Sequence, residues 1–182
     1  MSDDRGVALI RGINVGRAKR VAMSELRALV EELGYSGVQT VLNSGNVVFT
    51  APTVSPREAA ARIEHALETQ LGVPARVLAL TSAELDEIIR DNPLTGIAND
   101  PSRLLVAVLA DPADRARLEP LAEREWAPEA LALGRRVAYL WCPEGVMASR
   151  VMEAVNRTLG DAVTTRNWAT LTKLHALAMK PN

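Results

Sequence analysis

The polar residues best placed to do chemistry fall in three short segments of this 182-residue chain. The first is Arg11-Gly12-Ile13-Asn14-Val15-Gly16-Arg17-Ala18-Lys19-Arg20. Its G-x-x-x-G spacing matches neither the dinucleotide fingerprint nor the phosphate-binding P-loop, which needs G-x-x-x-x-G-K-[ST]. A Gly-bearing backbone that approaches a helix N-terminus nevertheless favours anions, and the basic side chains add to that. The bland alternative, a solvated connecting loop, is equally compatible with the segment. The second is the Asn43-Ser44-Gly45-Asn46 turn, whose residue types suit a hairpin. The third is Thr164-Thr165-Arg166-Asn167-Trp168-Ala169-Thr170-Leu171-Thr172-Lys173-Leu174, a dense set of donors entering a helix that Thr170 could cap. Of 21 basic residues only Lys19, Lys173 and Lys180 are lysine, and two of those fall within these segments. Arginine cannot replace a lysine used as a compact point charge.

Catalytic templates fit poorly. Ser44-Gly45 is not a nucleophile elbow, and neither His65 nor His175 has a Ser and an Asp nearby in sequence. Glu84, Asp86 and Glu87 are the densest carboxylate group, which a helix N-terminus explains without catalysis. The single cysteine, Cys142, excludes an intramolecular disulfide and reads as a buried, inert thiol. The two histidines lack metal-ligand spacing, so no metal and no cofactor are expected.

The elements that position these segments follow from apolar periodicity. Residues 7–10 read as a strand, and Met23, Leu26, Val30 and Leu33 as a helix ended by Gly34. Val38–Leu42 and Val47–Phe49 read as strands flanking the Asn43–Asn46 turn. Ser55-Pro56-Arg57-Glu58 opens a helix running to Gly72, with Ser55 as N-cap and Pro56 at the first helical position. Val77–Leu80 is a further strand, and Thr81-Ser82-Ala83-Glu84 a second capping box. After a Pro-, Asn- and Gly-containing stretch at 93–103, the same order recurs. Leu104–Leu109 is a strand, and Asp111-Pro112 caps a helix that Pro120 shortens or kinks. Residues 130–133 and 137–141 form a hairpin. A helix marked by Val151, Val155 and Leu159 is followed by a strand from Val163 to Trp168. A last helix, about Leu171–Met179, is surplus to the repeat.

Two β-α-β-β-α-β runs imply an α+β chain of two tandem ferredoxin-like halves with an extra C-terminal helix. The expected divisions are 1–80, a linker helix and loop at 81–103, and 104–182. In such a sheet the first and third strands are central antiparallel neighbours, so Arg11 and Asn46 should share one rim. The candidate ligand-binding residues are therefore Arg11, Asn14, Lys19, Ser44 and Asn46, with Arg166, Asn167 and Lys173 from the third segment.

The 48% apolar content supplies a core and excludes a disordered chain. A net charge of −1 provides no bulk attraction to nucleic acid or anionic membrane. Six aromatic residues are too few for a multi-base stacking surface. No apolar run approaches the roughly 20 residues of a membrane span, and the acidic Met-Ser-Asp-Asp start lacks a signal-like apolar region. A cytoplasmic protein is expected. Charge is nonetheless uneven, with five basic residues and no acid between Arg5 and Arg20.

Leu9-Ile10-Arg11-Gly12-Ile13-Asn14-Val15-Gly16, Ser44-Gly45-Asn46-Val47-Val48-Phe49 and Thr164-Thr165-Arg166-Asn167-Trp168 together resemble the domain of unknown function 1697 family, as does Tyr139-Leu140-Trp141-Cys142-Pro143-Glu144-Gly145 with Ser149 after it. The resemblance spans essentially the whole chain. It implies the two ferredoxin-like halves and no established activity. Arg17, Asn43, Arg150 and Ala169 depart from the family's usual Gly, Gln, Lys and Asn. The last change removes an amide from the C-terminal motif.

Binding of a small phosphate- or carboxylate-bearing ligand at the Arg11–Arg20 loop and the Asn43–Asn46 turn is the leading reading. A transferase or hydrolase acting on a phosphorylated small molecule is the alternative, although the three motifs offer no obvious general base. Nucleic-acid binding is disfavoured by the lack of an aromatic pair on the strands, and a structural or oligomerisation role stays open.

Overall fold

The computed structural model describes residues 5–17 and 19–181. The Met-Ser-Asp-Asp start read above lies outside the described residues, as does Ala18 of the basic loop. The described chain holds two four-stranded antiparallel sheets and six α-helices, an α+β architecture.

The first sheet has the order β2-β3-β1-β4, from β1 (Arg5–Ile10), β2 (Ser36–Val41), β3 (Asn46–Thr50) and β4 (Val77–Thr81). Helices α1 (Met23–Glu32) and α2 (Pro56–Leu71) connect β1 to β2 and β3 to β4. The N-terminus of α2 forms where the side chain of Ser55 accepts from Glu58 N–H at 3.2 Å and Pro56 supplies a pre-set φ. Ala8, Ile10, Val47, Phe49 and Ala79 of the sheet pack with Leu26, Val30, Ile63 and Leu67 of the two helices.

The second sheet has the order β6-β7-β5-β8, from β5 (Leu104–Leu109), β6 (Ala130–Leu133), β7 (Val137–Trp141) and β8 (Val163–Asn167). Helices α4 (Arg115–Ala122) and α5 (Arg150–Leu159) cover Leu105, Ala107, Ala138 and Leu140 through Leu118, Leu121, Val151 and Val155. Pro120 lies inside α4, which is eight residues long and runs on to Ala122, and it has no N–H to give to the helix.

Each sheet is followed by a helix: α3 (Ser82–Arg90) after β4, and α6 (Trp168–Ala178) after β8. The C-terminal helix is thus the counterpart of α3 rather than an addition to the repeat. It also starts earlier than the Leu171 expected from periodicity. Both helices grow directly out of a strand through a cap at the strand's last residue. Thr81 and Glu84 exchange two bonds, Glu84 N–H to Thr81 Oγ1 at 3.0 Å and Thr81 N–H to Glu84 Oε2 at 2.8 Å. At α6 the cap is Asn167, whose Oδ1 accepts from Thr170 N–H at 2.9 Å, so Thr170 is the capped residue and not the cap.

Two compact units emerge among the described residues: one within Met1–Asp86 and Lys173–Asn182, the other Glu87–Thr172. Their strand registers match position by position. Val7 faces Val48 and Leu80, while Val106 faces Tyr139 and Arg166. Arg166 therefore occupies in the second sheet the place of the fully buried Leu80 in the first. Among the described residues no helix is long and apolar enough to cross a membrane.

Candidate functional site

The register of the first sheet brings three chain segments to one end. Because β1 and β3 run antiparallel, Ile10 N–H meets Gly45 C=O at 2.8 Å, and on the other side Arg11 N–H meets Arg76 C=O at 2.8 Å. The basic loop after β1 and the turn before β3 consequently form one rim.

Asn14 binds that rim together. Its backbone is left-handed, φ +56°, a conformation Asn tolerates better than other side-chain-bearing residues. Its Oδ1 accepts from Val21 N–H at 2.8 Å, and its Nδ2 donates to Val21 C=O at 2.9 Å and to Asn43 C=O at 2.8 Å. One amide thus closes the loop and fastens it to the turn. Arg20 donates to the carbonyls of Asn14 at 2.9 Å and Gly16 at 3.4 Å, engaging two of the five N–H donors of a guanidinium. Lys19 Nζ donates to Gly72 C=O, at the C-terminal end of α2 where the helix dipole favours a cation.

The turn is held from within. Asn46, fully buried, donates through Nδ2 to Val41 C=O at 2.9 Å and to Ser44 Oγ at 2.8 Å. Gly45 has φ +89°, and a Cβ there would lie 2.9 Å from both Ile10 Cβ and Ile13 Cδ1. The turn can approach the sheet this closely only because residue 45 has no side chain.

The sequence-derived residues therefore divide by role. Arg11, Asn14, Lys19, Ser44 and Asn46 converge on the first unit's rim. Within it Asn14 spends its amide on backbone groups and Asn46 on the Val41 carbonyl and the Ser44 hydroxyl, so both act as positioning residues. Lys19 and Arg20, with Arg17, are exposed, and Arg11 is half-buried. Arg166 and Asn167 belong to the second unit. Asn167 caps α6, and Arg166, which donates to Thr165 C=O at 3.0 Å, has its pKa lowered to about 10 by burial. Lys173 is exposed on α6, in the part that belongs to the first unit.

Two polar groupings escaped the sequence reading. His175 Nε2 lies 2.8 Å from Asp86 Oδ1 within the first unit, joining residues 89 apart in sequence. In the second unit the Glu129 side chain, only 7% exposed, receives Ser149 Oγ–H and the backbone N–H groups of Arg150 at 3.0 Å and Val151 at 3.4 Å. It thereby serves the first turn of α5 together with the N-cap Ser149. Cys142 Sγ lies 3.3 Å from Ser149 Oγ. Burial pushes the Cys142 thiol up, the Ser149 hydrogen bond pulls back, and the Glu129 charge adds to the rise, leaving a neutral thiol of low nucleophilicity. Among the described residues no group of three or more His, Cys, Asp or Glu could hold a metal ion.

A fold of two four-stranded antiparallel sheets, with a Gly- and Arg-bearing loop locked to a hairpin turn, defines the class of α+β protein. Residues 4–139 match the model of the family described as a protein of unknown function (DUF1697), and the chain belongs to that family. Among solved structures it is similar to the conserved bacterial protein SP0830 from Streptococcus pneumoniae, at 22% identity and TM-score 0.77 over 96% of this chain and 98% of that one. That likeness concerns the fold alone. No curated protein matches the sequence.

Proposed function

We propose that this protein binds a small ligand bearing a phosphate or carboxylate, at the rim formed by the Arg11–Arg20 loop and the Asn43–Asn46 turn. The observation that carries the reading is the Asn14 side chain, which ties the loop to the turn and so preorganises a basic segment containing no acid. Arg11, Lys19 and Arg20 supply charge-assisted donors. Asn14, Ser44 and Asn46 hold the backbone that aims them. Each half is read as a ferredoxin-like unit, supported by the β-α-β-β-α-β order and by sheets with β1 and β5 in central positions.

Calorimetry with a panel of nucleotides and phosphorylated metabolites tests the proposal. The wild type should bind at least one with a Kd on the order of millimolar or tighter, and Arg11→Ala/Lys19→Ala should weaken it roughly tenfold per lost contact. The residual binding should depend less on salt. Thermal unfolding of the double variant monitors the Lys19 bond to Gly72. Absence of wild-type binding across the panel at millimolar concentration refutes the reading.

A second reading, hydrolysis or group transfer on a phosphorylated small molecule, draws on the His175–Asp86 pair, since a carboxylate that orients an imidazole leaves its other nitrogen for proton transfer. Product formation in the same panel separates turnover from binding.

A further inference from the structure

The rim carries apolar as well as cationic groups. Val15, in the basic loop, is 62% exposed, and Leu42, at the start of the turn, is 51% exposed. Isolated exposed aliphatics are ordinary on protein surfaces. These two belong to segments that are tied together, since Val15 follows Asn14 and Leu42 precedes Asn43 in the chain, and Asn14 Nδ2 donates to Asn43 C=O. Leu42 is held at φ +59°, a left-handed conformation that a branched side chain rarely adopts and that Gly or Asn would adopt at lower cost. Strain of this kind clusters at binding sites. An apolar side chain is therefore held at strain in the turn to which a loop bearing Arg11, Lys19 and Arg20 is tied.

We infer that the ligand of this rim is an amphipathic anion, a phosphate or carboxylate bonded to a compact apolar group of a few carbons that rests on Val15 and Leu42. The inference builds on the anion-binding reading above and narrows it to a ligand class. Charge complementarity selects the anionic end, and two aliphatic side chains match a group of a few carbons. They fall far short of the apolar area that holds a protein on a bilayer, so the ligand is free in solution rather than part of a membrane.

The test compares inorganic phosphate with monobutyl phosphate by calorimetry. It uses the wild type and the double variant Val15→Thr/Leu42→Asn, which keeps side-chain shape at 15 and suits the left-handed backbone at 42. The wild type should prefer butyl phosphate about tenfold, as expected when a short alkyl chain is partly buried. In the double variant that preference should fall to about unity. Equal wild-type affinity for both probes overturns the amphipathic assignment and leaves the anion site standing. A preference that survives the double variant also overturns it, because the alkyl contact then lies elsewhere. Failure of both probes to bind counts against the anion site itself. Cosedimentation with phosphatidylglycerol vesicles, without butyl phosphate binding, would overturn the soluble-ligand assignment in favour of a membrane surface.

Discussion

Replacing Asn14 with Ala removes the side chain that closes the rim. Two of its hydrogen bonds, to the N–H and C=O of Val21, are partly buried, and the third, to Asn43, is exposed. Partly buried bonds contribute about 1 kcal/mol each and the exposed one a few tenths. Alanine must also hold the φ of +56° that Asn14 tolerates, which costs roughly 1 kcal/mol more. The expected loss is about 3 kcal/mol, equivalent to a melting-temperature drop on the order of 6–12 °C. Asn14→Gly isolates the backbone share. It loses the same bonds without the left-handed cost, and should recover about 1 kcal/mol relative to Ala. Urea unfolding gives the free energies, and amide exchange gives a local reporter, because Val21 N–H donates to Asn14 Oδ1. An Asn14→Ala protein within about 0.5 kcal/mol of wild type, with Val21 still protected, would refute the claim that this side chain closes the loop.

Gly45→Ala should cost on the order of 2–4 kcal/mol, because its Cβ meets Ile10 and Ile13 at 2.9 Å as well as facing φ +89°. Gly16→Ala, at φ +54° with no heavy atom within 4 Å of the added Cβ, should cost about 1 kcal/mol, and thermal unfolding that ranks them equally would refute the packing argument. Tyr139 is raised above the ordinary tyrosine value of roughly 10, first by burial and then by the Asp91 and Glu87 charges, and its hydroxyl donates to Ile88 C=O at 2.7 Å. A raised folded pKa contributes stability that is complete below the unfolded value and lost as pH climbs toward the folded one. Tyr139→Phe should therefore lose about 1–2 kcal/mol at neutral pH and show a shallower decline above pH ~10. Tyr35, also raised by burial, is present in both proteins, so identical alkaline slopes would sink the assignment to Tyr139.

Much of the fold was legible because its signals are local. The Thr81–Glu84 capping box and the Ser55 cap act over three residues, and Pro56 and Pro120 act through their own rings. The hairpin strands at 130–133 and 137–141 have the bounds expected of two apolar runs that bracket Gly134-Arg135-Arg136. Even the shared rim of Arg11 and Asn46 could be anticipated, since strand order alone determines which loops lie at one end of a sheet. At α6 the sequence offers Thr170 as a cap, whereas the cap is Asn167. The helix starts at Trp168 because β8 delivers the chain directly to Asn167.

What each side chain does on the rim was not legible. By type and position, Asn14 and Asn46 read as donors to a ligand. Only folded geometry shows that Val21, Asn43, Val41 and Ser44 already take those donors, through contacts up to 29 residues apart. The same holds for Asp86, which reads as one more acid on a helix N-terminus until α6 presents His175 to it, and for Glu129, which reaches Ser149 across 20 residues. Arg166 sits in a strand whose alternation says nothing of what covers each face, and only the register exposes its equivalence to buried Leu80. Sequence alone determined the order of the elements, the Ser55 and Thr81–Glu84 caps and the gathering of a basic loop and an Asn/Ser turn at one sheet end, because backbone preference and apolar periodicity act within a few residues. The tertiary structure decided which polar atoms are already satisfied and which charges remain displayed, because hydrogen bonding and desolvation depend on atoms that chain folding alone brings within reach.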